Sequence, residues 1–271
     1  MHSVVCIKQV PDVTEVKIDP ETNTLVRVGV PSIVNPYDMN ALEEALRLKD
    51  QYGGKVTVIT MGPPMAEEIL NKAVGHGADE GILLSDRAFA GADTLATSYV
   101  LSTAVAKISE EEKVDLIFCG KQAIDGDTAQ VGPGIAARLK MPLLTYINGV
   151  QECDPEQNKI VVKRKVKSGY EITQTQMPAV ITSNRDINDV RYETMPDLIK
   201  AARFKAKVWG NKELQLDQKQ LGLNGSPTMV RDIFAPEEKQ GGEKIHFNPD
   251  KPEETVDMIV NKLVPSVVVP N

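Results

Sequence analysis

Apolar positions along this chain change their period twice, and the changes divide it into parts. Ser3–Val10 is a short, mostly apolar run that reads as a buried strand ended by Pro11. Lys55–Met61, Gly81–Leu84 and Asp115–Cys119 repeat that form. Between them the apolar residues fall at helical spacing. MNALEEALRLKDQY places Leu42, Ala45, Leu46 and Leu48 together, Met65–Val74 places Ile69, Ala73 and Val74, and a stretch after Asp93 places Leu95, Ala96, Tyr99, Val100 and Ile108. Asp38 and Asp93 are positioned as N-caps, and Gly53-Gly54 ends the first helix. Strand, helix, strand, helix in this order predicts a parallel sheet with right-handed crossovers. The uninterrupted VTVIT and DLIFC suit strands covered on both faces.

After Pro142 the period drops to two. Thr145–Glu152, Lys159–Val166 and Tyr170–Gln176 alternate apolar with polar residues and are separated by Asp154–Asn158 and Ser168-Gly169, as in antiparallel hairpins. A polar excursion between Asp12 and Val34, with turn signals at Asp19-Pro20 and Thr22-Asn23, suits another hairpin. Ala179–Thr182 is an apolar strand able to return to the main sheet. Beyond Arg185 the alternation is lost. A helix is expected from Pro196 to Lys207, a turn-rich polar stretch over 210–252, and a short helix over Glu253–Leu263. The fold expected is α/β: a Rossmann-like, mostly parallel sheet flanked by helices, with an antiparallel hairpin insertion and an extended C-terminal arm. Its divisions would be an α/β domain over 1–207 and the arm over 208–271.

Composition narrows the chemistry. The 271 residues carry a net charge of −7, against a general nucleic-acid binder, whose footprint is basic. Cys6, Cys119 and Cys153 are odd in number and lack CxxC spacing, so they read as buried reduced thiols. His2, His76 and His246 have no metal-ligand spacing, and no nucleophile–base constellation stands out, so neither a metal nor a catalytic residue is assigned. No apolar run reaches the roughly 18 residues of a membrane span, and the N-terminus lacks a signal-peptide pattern, so a cytoplasmic protein is expected.

The most informative stretch is CGKQAIDGDTAQVGP, residues 119–133, between a strand and the helix IAARL. Open parallel sheets bind ligands beyond the carboxyl ends of their strands. A glycine-containing corner there can turn main-chain amides toward phosphate, aided by the helix N-terminus. Thr128 and Gln130 can add side-chain hydrogen bonds, and Lys121 can neutralise charge or hold the loop. Asp125 and Asp127 would repel a phosphate if they faced it, so they are expected to accept loop amides or hydroxyls. Pro133 fits the first turn, which places the helix start near Gln130–Gly132. Neither GxGxxG nor GxxxxGK[ST] is present. By the residues alone, an ordinary strand–loop–helix corner remains an alternative. Cys6–Gln9, Asn35–Asp38 and Met61-Gly62 would flank the same sheet edge.

GKQAIDGDTAQVGP resembles the signature loop of electron-transfer flavoprotein β subunits. VVCIKQVPD, NPYDMNALEEALRLKD and MPAVITSNRDINDVRYETMPDLIKA agree with that family in order and position. The resemblance covers most of residues 1–207. It implies a sheet flanked by helices and a heterodimer with an α subunit that holds one flavin. The β subunit then holds AMP in a simple electron shuttle, or a second FAD reduced by NADH in the electron-bifurcating branch. The small residues Gly126, Thr128 and Ala129 bring this chain nearer the FAD type. The resemblance implies nucleotide contacts at Ile7, Lys8, Asn35, Pro36, Tyr37, Asp38, Met61, Gly120, Lys121, Gln122, Asp125, Gly126, Asp127, Thr128, Ala129, Gln130, Val131 and Gly132.

Residues 185–207 match the family's recognition loop, which docks a flavin-containing dehydrogenase. Arg191, Met195, Lys200 and Arg203 are expected to contact that partner, with Met195 as apolar anchor. A low-potential acceptor such as ferredoxin or flavodoxin would complete bifurcation. A reading from another class is a homodimeric nucleotide-binding stress or signalling module. The scattered apolar residues of 208–271 argue against it, because they want a partner surface. An ATP-pyrophosphatase-type ligase expects SGGxDS after the first strand, where this chain has KQVPDV.

Overall fold

In the computed structural model, residues 1–12, 31–231, 244–247 and 249–267 are described. The apolar runs become the parallel centre of the sheet: β1 (His2–Cys6), β4 (Lys55–Met61), β5 (Glu80–Leu84), β6 (Leu116–Gly120) and β10 (Ala179–Ser183). Their register is continuous, with Cys6 opposite Ile59 on one side and Cys119 on the other. The alternating segments become β7 (Leu143–Asp154), β8 (Lys159–Val166) and β9 (Gly169–Gln176), which extend one edge. The order is β11-β5-β4-β1-β6-β10-β7-β8-β9, where β11 is Lys207–Trp209. Within this nine-stranded sheet, among the described residues, the β7–β8 and β8–β9 pairs are antiparallel and the others parallel. The base of the expected excursion is the antiparallel pair β2 (Gln9–Pro11) and β3 (Ser32–Val34). Residues 13–30 lie outside the described residues.

Two apolar layers cover the sheet, because parallel strands expose apolar side chains on both faces. On one face Val5, Val58 and Phe118 pack against α1 (Pro36–Tyr52) and α2 (Glu67–Gly75) through Leu42, Leu46 and Leu70. On the other, Val4, Ile82 and Ile117 pack against α3 (Thr94–Glu111) and α4 (Val131–Leu139) through Val100, Val105 and Ile135. Burying a side chain such as Phe118 contributes about 2–3 kcal/mol.

Asp93 caps α3 as expected, accepting from the amides of Leu95 and Ala96, and Gly53 ends α1 with φ 71°. Asp38 is not the cap of α1. The helix starts at Pro36 with Asn35 as N-cap, because proline suits the first helical turn. The helix expected over Pro196–Lys207 is α5 (Met195–Arg203) and stops short. The chain then joins the sheet as β11, beside β5. Trp209, Leu214, Leu216 and Leu221 are buried in the α3 layer, with α6 (Asn211–Leu214) among them.

The chain divides into two compact units, Met1–Ile233 and Phe234–Asn271. In the second, α7 (Pro252–Val267) is the described helix, and Val256, Ile259, Val260 and Leu263 on it are exposed.

Candidate functional site

The chain order reverses at β1. From there it moves outward through β4 and β5, then returns to place β6 on the other side. This is the switch point at which doubly wound sheets bind ligands. The segments after β1 and β6 and the start of α1 meet there through hydrogen bonds that no short-range pattern encodes.

Asp38, in the first turn of α1, is buried. One carboxylate oxygen accepts from the Lys8 amide at 2.8 Å, the other from the Gly120 amide at 3.0 Å, so a single side chain ties the ends of β1 and β6. Burial pushes its carboxyl up to about 7, against the hydrogen bonds from Asn35, Lys8 and Gly120 that favour the ionised form. Gly120 is required by the close approach: a Cβ there would lie 2.3 Å from Asp38 Oδ1 and 2.6 Å from Tyr37 Cβ. Asn35 clasps the next stretch of the corner. Its Nδ2 donates to the Gln122 carbonyl at 2.9 Å, and its Oδ1 accepts from the Ile124 amide at 3.2 Å.

The two aspartates of the corner are engaged by side chains, one cationic and one neutral, and not by the amides of Thr128–Gly132. Asp125 accepts from Lys8 Nζ at 2.6 Å, and Asp127 Oδ1 accepts from Gln122 Nε2 at 2.7 Å. Asp127 and Ala129 sit in the left-handed region at φ 51° and 54°, each a local strain of about 1–2 kcal/mol. Such strain gathers where a backbone must present itself to a ligand. α4 begins one residue after Gln130, which makes no side-chain cap. Among the described residues, the amides of Thr128, Ala129, Gln130, Val131 and Gly132 donate no hydrogen bond. A Cβ on Gly126 would meet nothing within 4 Å, so the corner is open. Free consecutive amides, alternating backbone handedness and a helix N-terminus form a concavity suited to phosphate.

Gly132 brings α4 onto the sheet: a Cβ there would lie 2.5 Å from Thr182 Cγ2. Thr94 at the start of α3 donates its hydroxyl to Gln130 Oε1 at 2.9 Å, and the Ser183 carbonyl accepts from the Lys121 amide at 2.8 Å. Sequence reading missed Thr94, Thr182 and Ser183, because nothing local marks a residue whose partner lies far along the chain.

The structure gathers the residues named from the sequence unevenly. Ile7, Lys8, Asn35–Asp38 and Gly120–Gly132 lie at one sheet edge, and Met61 ends the neighbouring strand, partly buried. Arg191 is engaged within the chain, donating to Glu43 at 2.8 Å and to Asp50 at 2.8 Å. Lys200 donates to the Ala78 carbonyl at 2.8 Å. Met195 is 72% exposed, and Arg203 is exposed. α5 borders a groove of about 470 Å³ against α2, lined in part by Leu198, Ala202 and Phe204, which shares no residue with the corner. All three cysteines are buried and unbridged. Among the described residues no helix is long and apolar enough to cross a membrane, and no cluster of metal-ligating side chains is found.

A three-layer α/β fold whose strand order reverses at β1, with an open amide cradle at that switch point, places the chain in the doubly wound α/β class. The electron transfer flavoprotein domain matches residues 22–209. The chain is 51% identical to Protein FixA of Azotobacter vinelandii, covering 97% of this chain and 94% of that one. It is 49% identical to the caffeyl-CoA reductase-Etf complex subunit CarD of Acetobacterium woodii, covering 90% and 92%. It is 44% identical to the electron transfer flavoprotein subunit beta of Megasphaera elsdenii, covering 99% and 100%. The chain belongs to the electron transfer flavoprotein family, as an electron-transfer subunit of the β type.

Proposed function

We propose that the cradle after β6 binds FAD, and that the chain pairs with an α subunit to oxidise NADH and divide its electrons between a dehydrogenase and a low-potential acceptor such as ferredoxin or flavodoxin. The observation that carries this reading is the row of unengaged amides from Thr128 to Gly132 at the α4 N-terminus. The similarity to CarD, a subunit of a caffeyl-CoA reductase-Etf complex, supports a complex of the same kind here.

The residues divide the work. Thr128–Gly132 hold the diphosphate, while Asn35 and Asp38 fix the corner to β1 and α1. Tyr37 and Met61 border the space left for the adenosine half. When bound, FAD supplies the conversion of a two-electron hydride into single electrons, and the protein supplies orientation and electrostatics. Met195, Leu198 and the basic Lys200 and Arg203 offer an exposed apolar and cationic surface to the dehydrogenase. Arg191 serves that surface indirectly, by holding its base to Glu43.

The chain co-purified with its α subunit is to be denatured in acid and the released cofactors counted. Two FAD per heterodimer, bleached by NADH, is the expected result. One FAD with one AMP would replace this reading by a simple electron shuttle. A homodimer free of nucleotide would reject both.

A further inference from the structure

Tyr146 is a bulky residue held where glycine is usual. It lies in β7 at a break in register: Ile181 pairs with Leu144 and Ser183 with Ile147, so Thr145 and Tyr146 together face Thr182. This is a β-bulge, and Tyr146 takes φ 59°, a left-handed conformation that a glycine adopts at no steric cost. The conformation is fixed from both sides. The Tyr146 amide donates to Thr182 Oγ1 at 3.4 Å, and its carbonyl accepts from Asn184 Nδ2 at 3.0 Å. Asn184 is itself buried.

The bulge turns the ring toward the sheet edge that carries the cradle. The residue is 41% exposed, and Lys121 Nζ lies 5.3 Å from the ring centroid, within cation–π range. Lys121 is in the corner itself, and its amide is bonded to Ser183, which pairs with both Gly120 and Ile147. Thr182 completes the connection. Its hydroxyl holds the Tyr146 amide, and its methyl group is what the first turn of α4 rests on at Gly132. One threonine side chain therefore separates the strained tyrosine from the free amides.

Resting on the nucleotide reading above, the geometry points to Tyr146 as a positioning residue whose ring holds the Lys121 ammonium at the rim of the cradle, as a cationic site for the diphosphate of the bound nucleotide. Without the ring, a lysine on a four-carbon stem would sample many rotamers and lose entropy on binding. With it, the charge is in place before the ligand arrives. This accounts for a left-handed tyrosine where a glycine or asparagine would relieve the strain.

The test uses the full chain with its α subunit, stripped of nucleotide, and ADP as probe, titrated by calorimetry at two ionic strengths. Tyr146→Phe keeps the ring and should bind as the parent does. Tyr146→Asn tolerates the same backbone but lacks the ring, and should weaken ADP roughly two- to fivefold with unchanged or raised Tm. Lys121→Ala should weaken ADP by about tenfold and reduce its salt sensitivity. Adding Tyr146→Asn to Lys121→Ala should cost nothing further. Asn-variant affinity and salt dependence equal to the parent's, a Phe variant as weak as the Asn variant, or additive losses in the double variant would each overturn the assignment. If the parent complex itself binds no ADP, the nucleotide reading fails instead, so the two failures are distinct.

Discussion

Asp38 shows how one buried carboxylate can set both geometry and pH response. Its carboxyl is raised from an ordinary 3.8 to about 7 by burial. A group raised on folding stabilises the protein fully below its unfolded value and loses that contribution as pH climbs through its folded value. Stability should therefore fall through this group between about pH 4 and pH 7. Asparagine at this position can accept from only one of the two amides of Lys8 and Gly120. Asp38→Asn should cost about 1–3 kcal/mol in urea unfolding and flatten the fall between those pH values. An unchanged pH slope would show that another group is responsible.

The corner's glycines separate space from conformation at the same scale. Gly120→Ala would drive a methyl group into Asp38 and Tyr37 and should cost about 1–3 kcal/mol. Gly126→Ala meets open space and should change thermal unfolding by no more than about 0.5 kcal/mol. Equal costs at the two positions would contradict the packing described here.

At the scale of elements, the start of α1 and the segment before α5 are each held by polar contacts across the chain. Asn35 bonds the 120–132 corner at two points. Asn35→Ala should leave the fold intact and weaken ADP binding by up to about thirtyfold, the two lost bonds being worth about 1 kcal/mol each. The segment 188–193 is fixed to α1 and α2. Asn188 donates to Glu44 at 2.9 Å, Arg191 pairs with Glu43, and His76 Nδ1 contacts the Arg191 carbonyl at 3.0 Å. Burial raises the Glu44 carboxyl and lowers the His76 imidazole, the latter against the pull of Glu193. Glu43 is 4% exposed at its side chain, so removing Arg191 leaves a buried carboxylate with the half-exposed Arg47, at 3.3 Å, as its remaining counter-charge. Arg191→Ala should destabilise the chain by about 2–4 kcal/mol, measured by chemical denaturation. Lys205→Ala, at an exposed position, should be neutral.

These elements also mark what the sequence could and could not tell. Runs such as VTVIT and the capping Asp93 carry their signal within a few residues, so β4 and α3 are legible directly. The cradle is legible as a glycine-containing corner between strand and helix. Asp38 looks like a cap, and only the β1 and β6 amides reveal that it is a clasp. β11 is three residues long, too short for periodicity, and exists because β5 offers it an edge. Nothing local marks Tyr146 as left-handed, since the bulge depends on Thr182 and Asn184 in another strand.

For the molecule as a whole, the antiparallel extension and the parallel centre serve one edge. β1, β4 and β6 end there, α4 points its N-terminus at it, and β7 brings an aromatic ring from the far side. The exposed face of α7, with Ile259 and Leu263, and the apolar residues of α5 are surfaces for other chains under the proposed function. The central claim is that the amides of Thr128–Gly132 receive a diphosphate. Residue-resolved hydrogen exchange on the stripped complex of this chain with its α subunit tests it most directly. ADP should slow exchange at Thr128, Ala129, Gln130, Val131 and Gly132, and adenosine, lacking the phosphates, should not. ADP that binds the complex yet leaves these five amides exchanging as before would contradict the account.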